Sequence, residues 1–157
     1  MMNALITSGS RRRQRGLAAI EMAITLPVLL TLLIATAELG RAFFQYNAVT
    51  KSVRSAVRYL ADNAINGTTG LVQLTDSTET EVKNLVVYSS TTGAGDPLVQ
   101  GLSVGDVTIS LVDAAHIEVA ASFNYQPIFL RIPTFGSGSD VDTGLILNAS
   151  ATMRALQ

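Results

Sequence analysis

Few residues of this chain have types and spacing that could do chemistry. His116 is the only histidine, Asp113 stands three residues before it, and serines are plentiful. A Ser/His/Asp relay can be drawn from these, but a hydrolase serine needs a sharp strand-to-helix turn, and no Gly-x-Ser-x-Gly elbow occurs. In a hairpin turn His116 is expected to be exposed and inert. Asp140-Val141-Asp142-Thr143-Gly144 offers oxygen ligands in part of a calcium-loop spacing, without the further acids an EF-hand requires. Cysteine is absent, which excludes disulfides, thiolate nucleophiles and cysteine-based zinc sites. No phosphate-cradling glycine loop or dinucleotide fingerprint is present. The chain is therefore expected not to be an enzyme and to need no cofactor or metal. The remaining constellation is electrostatic: Arg11, Arg12, Arg13 and Arg15, then Gly16, then a lone acid, Glu21, in apolar surroundings.

The element that must carry Glu21 is a long helix. From Leu17 to Ala37 the chain has 21 residues and one charge, the length an α-helix needs to cross the hydrocarbon core of a bilayer. The four arginines immediately before it set the topology by the positive-inside rule, with the N-terminus cytoplasmic and the chain beyond Glu38 outside. A carboxylate inside such a helix costs on the order of a few kcal/mol at the bilayer centre and less near its edge, so Glu21 calls for a positive partner. Pro27 is compatible with a membrane helix whose neighbours satisfy the freed carbonyl.

Basic leader, glycine, apolar run and a glutamate at the fifth position after the glycine resemble the class III prepilin signal. The longer stretches Arg15-Gly16-Leu17-Ala18-Ala19-Ile20-Glu21-Met22-Ala23, Leu26-Pro27-Val28-Leu29-Leu30 and Glu38-Leu39-Gly40-Arg41-Ala42 are similar to the TadE/TadG-like pseudopilins of the tight-adherence (Flp pilus) system. Ala149-Ser150-Ala151-Thr152-Met153-Arg154 resembles that family's C-terminal strand. The resemblance implies cleavage by prepilin peptidase between Gly16 and Leu17 and a role for Glu21 in pairing with a neighbour's new N-terminus. It also implies other pilins or pseudopilins as partners through the apolar helix. The implied protein is a minor pseudopilin of the bacterial inner membrane or the pilus, serving adhesion and biofilm formation. Two other readings stay open. Ala35-Thr36-Ala37 has the A-x-A form of a secretory cleavage site, and an uncleaved apolar run would leave a bitopic anchor. Either would present an extracytoplasmic binding domain unrelated to filaments.

Beyond the apolar run the helical period continues. Phe43, Tyr46, Val49, Val53, Ala56 and Leu60 recur at steps of three and four, while Lys51, Arg54 and Arg58 share another face. One continuous helix over 17–62, roughly 69 Å long at 1.5 Å per residue, follows from this spacing. Asn63 and Asn66-Gly67 supply its stop. Thr78-Glu79-Thr80-Glu81 has the form of a capping box and predicts a short helix over 78–88. The glycine-rich residues 89–106 read as loop.

From Val107 the period changes to two, in Val107/Ile109/Leu111, in Ile117/Val119/Ala121/Phe123/Tyr125 and in Leu145/Leu147/Ala149/Ala151/Met153. Three alternating strands predict an antiparallel meander with Asp113-Ala114-Ala115-His116 as its first turn. Pro127 and Pro133 break the chain after the second strand, and Gly136-Ser137-Gly138-Ser139-Asp140 reads as a loop. The fold class is thus α+β: leader 1–16, transmembrane helix 17–37, amphipathic extension 38–62 and head 63–157. Removing the four leader arginines from 11 basic residues leaves 7 against 12 acidic ones, a formal net charge of −5. That balance argues against nucleic acid, which needs clustered Lys and Arg.

Overall fold

The computed structural model describes residues 10–64, 74–113, 115–128, 131–132, 141–142 and 144–155. Asn66-Gly67, Pro133 and the 136–140 segment lie outside them. The chain divides into two compact units between Ala37 and Glu38.

Helix α1 runs over Ser10–Asn63 as one element of 54 residues. It begins earlier than the apolar run, because the Arg- and Gln-rich stretch before Gly16 consists of good helix formers. In the first unit the large apolar side chains of residues 17–33 are exposed. Hydroxyl side chains in this stretch turn back onto the helix: Thr25 donates to the Glu21 carbonyl, Thr31 to that of Pro27 and Thr36 to that of Leu32, each at 2.8 Å. Such back-bonding leaves no hydroxyl proton unsatisfied on an apolar surface. The most apolar 18-residue window of α1 has a mean hydropathy of 2.3 with none of it buried, so the helix is long and apolar enough to cross a membrane.

The second unit is an α+β head. Helix α2 spans Asp76–Tyr88, and a 3-10 turn over Val104–Asp106 leads into strand β1, Val107–Leu111. Strands β2, His116–Tyr125, and β5, Leu145–Arg154, complete a three-stranded antiparallel sheet in the order β1-β2-β5. The register pairs Val107 with Ala121, Leu111 with Ile117, His116 with Arg154 and Tyr125 with Leu145. Between β2 and β5 two short strands pair with each other, β3 (Arg131–Ile132) and β4 (Val141–Asp142). Proline ends β2 as expected, but backbone pairing resumes beyond it in this extra hairpin.

One core joins these elements. Val49, Val53, Ala56, Val57, Leu60, Ala61 and Ala64 from the α1 end pack with Val82, Val86 and Val87 of α2 and with Ile117, Val119, Ala121 and Phe123 of β2. The five alternate positions of β2 predicted to share a face are all buried. On α1 the structure corrects the sequence reading: Phe43 and Tyr46, placed on the core stripe by spacing, are exposed, and small Ala42 takes the buried position instead. Lys51, Arg54 and Arg58 are exposed as their shared face predicts.

Helix α2 also begins earlier than the capping-box reading placed it. Thr75, extended at φ −96°, is the N-cap, and its hydroxyl accepts from the Thr78 amide at 3.3 Å. Asp76 and Glu79 lie in the first turn, where negative charge favours the helix dipole. The helix closes on Ser89 in the left-handed conformation, whose amide returns to the Leu85 carbonyl. Ser52 of α1, 8% exposed, donates to the carbonyls of Leu85 and Val86 at 2.8 and 3.0 Å and so locks the two helices in register.

Candidate functional site

Two groups of residues stand out, one in each unit. In the first, Gly16, Leu17 and Glu21 lie exposed on α1. Arg11, Arg12, Arg13 and Arg15 belong to the same helix by their backbone. A Cβ added at Gly16 would meet nothing within 4 Å, and the residue has no left-handed φ. The fold of the chain itself therefore does not require glycine there, although glycine costs a helix roughly 1 kcal/mol relative to alanine. Among the described residues no ion pair reaches the Glu21 carboxylate.

The second group was not anticipated by sequence reasoning. It joins the first residues of the head to the end of β2. The Tyr125 hydroxyl donates to the Glu38 carboxylate and accepts from Arg41 Nε at 3.1 Å. The Ile128 amide donates to the other Glu38 oxygen at 3.0 Å. Arg41 also donates to the Gln126 carbonyl, and its guanidinium carbon lies 5.3 Å from the centroid of the Tyr125 ring. A cation at that distance from an aromatic face is attracted by the ring quadrupole. Glu38 and Arg41 sit three positions apart and so face the same way on α1. Tyr125 is brought to them by strand alternation, which puts it on the buried face of β2.

Burial is the main cause that raises the Tyr125 phenol above its ordinary 10.0; the hydrogen bond to Glu38 adds to it and Arg41 opposes it. Nearby, Gly101 adopts φ +91°, and a Cβ there would come within 3.1 Å of the Asn124 carbonyl. The loop can therefore lie against the end of β2 only with glycine at this position. The sequence signal for this clasp is slight: the pair Glu38/Arg41 stands at the end of an apolar run, within a stretch of family resemblance that implies no contact.

The Asp113–His116 pair is present in the first hairpin. Their side chains meet at 2.8 Å, and the Asp113 carboxylate also accepts from the amides of Ala115 and His116. The Ala115 amide is the first cause holding the Asp113 carboxyl below its ordinary value, followed by His116. This is a turn stapled by its own side chains, and no serine hydroxyl is hydrogen-bonded to His116 among the described residues. Among these residues there is also no group of three or more acids, histidines or cysteines able to hold a metal.

The chain thus combines an apolar helix of membrane-spanning length, which suggests membrane anchoring, with a small α+β head whose first residues are clasped to the segment at the end of β2. Residues 16–58 match the family model described as TadE-like protein, so the helical segment from Gly16 into the head is similar to that family, as the residues around Gly16 and Glu21 led one to expect. No curated protein and no solved structure matches the chain.

Proposed function

We propose that the chain is a membrane-inserted minor pseudopilin of the tight-adherence (Flp, type IVb-like) pilus system. Residues 1–16 are its leader, residues 17–37 its transmembrane segment and the residues from Glu38 its extracytoplasmic head. The precursor inserts in the inner membrane with Arg11, Arg12, Arg13 and Arg15 in the cytoplasm. Prepilin peptidase hydrolyses the bond between the Gly16 carbonyl and the Leu17 nitrogen, and the leader leaves as a carboxylate. The new α-ammonium at Leu17 lies four residues from Glu21. In a subunit leaving the membrane for a filament, Glu21 pairs with the α-ammonium of a neighbour. In a low dielectric this attraction offsets part of the cost of burying each charge alone. Incorporation of the protein then contributes to pili used in adhesion and biofilm formation.

The observation that carries this reading is Glu21, an acid without an ion-pair partner among the described residues, five positions after a glycine that the chain's own fold does not need. The TadE-like match over 16–58 supports it. A second reading has one observation in its favour. The two compact units meet directly after Ala35-Thr36-Ala37, where a signal peptidase would release the head as a soluble binding domain. That reading gives Glu21 no role.

The intact mass of the mature protein from membranes decides between them. A chain starting at Leu17 is expected. A start at Glu38 would replace the pilus reading with a secreted domain, and an intact Met1 would leave a plain anchor.

A further inference from the structure

The clasp also marks one end of the head, and large apolar side chains left in the open collect around it. On α1, Phe43 and Phe44 are 59% and 74% exposed, within one turn of Arg41, and Leu39 is exposed beside Glu38. Ile128, 65% exposed, is held there by its amide bond to Glu38. Leu145 and Ile146 are exposed at the start of β5, opposite Tyr125 and Asn124. Six such residues, from α1, the segment just after β2 and the start of β5, thus lie along the rim of this end of the head.

The opposite end of the sheet has a different character. There His116 pairs with Arg154 in register, Asp113 caps the turn, and the exposed Leu111 and Val112 stand among these charges. An apolar rim is a costly surface in water, and a contiguous one marks contact with another phase or partner. The charged side chains that α1 places at the rim, Glu38 and Arg41, are already engaged with Tyr125, Gln126 and Ile128. They can therefore sit beside apolar material without being stranded.

Chain continuity says what that material is. Glu38 directly follows Ala37, the last residue of the apolar run, and Leu39, Phe43 and Phe44 lie within the next two helical turns. Any bilayer the run enters ends next to this rim. We propose that the rim formed by Leu39, Phe43, Phe44, Ile128, Leu145 and Ile146 dips into the headgroup–acyl boundary of that bilayer and seats the head on the membrane. The partner is lipid. Amphipathic structures at this boundary bury their apolar face by about 5–10 Å, and aromatic side chains favour that layer. The inference rests on the membrane-anchored reading and adds that the head itself touches lipid.

The chain contains no tryptophan, so a single introduced one reports alone. The full chain would be reconstituted in phosphatidylcholine–phosphatidylglycerol vesicles whose lipids are brominated near the top of their acyl chains, and for the Leu29 reporter, about 12 Å below Ala37, in vesicles brominated near the chain ends. It would carry Phe44→Trp, Ile128→Trp or Ile146→Trp in turn, with Leu111→Trp as the far-end comparator and Leu29→Trp as the reporter of anchoring. All five positions are exposed, so the substitutions leave the core intact. The three rim reporters are expected to emit to the blue of the Leu111→Trp chain and to lose roughly half their intensity to bromine, as a ring about 5–10 Å into the boundary should. The Leu111→Trp chain should keep its intensity.

Quenching in the Leu29→Trp chain without quenching at the rim overturns the inference and leaves the anchored reading standing. A blue shift at the rim without quenching overturns it in favour of contact with another protein surface. Loss of quenching at position 29 as well overturns both readings.

Discussion

Tyr125 shows how much a single atom contributes in this protein. Its hydroxyl bonds both Glu38 and Arg41, and it lies on a residue only 6% exposed. Tyr125→Phe removes the hydroxyl and leaves a half-buried carboxylate and a guanidinium each one partner short. A loss of about 1–3 kcal/mol in unfolding free energy is expected, since a stranded partner costs more than a hydrogen bond contributes net. Chemical unfolding of the detergent-solubilised chain, followed by circular dichroism, measures it. The pH dependence has a definite sign. The folded state holds the phenol proton more tightly than the unfolded state, chiefly through burial and then through Glu38. The stability this provides is complete below the unfolded value of about 10 and is lost as pH rises through the raised folded value. Tyr59 acts in the same direction, its phenol raised first by its hydrogen bond to Glu81. The Tyr125→Phe chain should therefore be less stable at neutral pH and fall less steeply above pH 10. None of this was legible from period and spacing, because the hydroxyl meets a residue 87 positions away.

At the scale of elements the sequence was more explicit. The period-two runs marked β1, β2 and β5, and every predicted inward position of β2 is buried because β2 is the central strand. Helix α2 was legible as a helix and misplaced at its start: Thr75 and Thr78 both carry a hydroxyl, and only the extended backbone at Thr75 makes it the cap. Thr75→Ala should cost about 1 kcal/mol by leaving the Thr78 amide without its acceptor, while Thr75→Ser restores most of it. The same unfolding measurement, with the Thr78→Ala chain as comparator, distinguishes a cap at 75 from one at 78. The stripe on α1 shows the limit of periodicity. Steps of three and four admit Phe43 and Tyr46, but the close approach at the clasp buries Ala42 there and turns the aromatics outward.

For the whole molecule the decisive test concerns Glu21. Glu21→Gln keeps the size and helical preference of the side chain and removes its charge, so leader cleavage should continue while incorporation into pili falls by an order of magnitude or more, in line with the few kcal/mol of an unpaired intramembrane charge. Comparing mature protein in membranes with protein in sheared pili measures both. Normal incorporation would refute the pairing role. By itself the amino-acid sequence determined the apolar helix, the abrupt change from arginines to apolar residues at Gly16, the anomalous acid and the strand alternation. These are local properties, set by length, charge and period, and they survive without knowledge of any partner. Tertiary structure alone decided that Glu38 and Arg41 grip Tyr125, that Phe43 and Tyr46, expected in the core, stay outside, and that the exposed apolar residues gather at the clasp end of the head. Those outcomes depend on which distant segments meet, and a hydroxyl or a phenyl ring carries no local mark of the neighbour it will find.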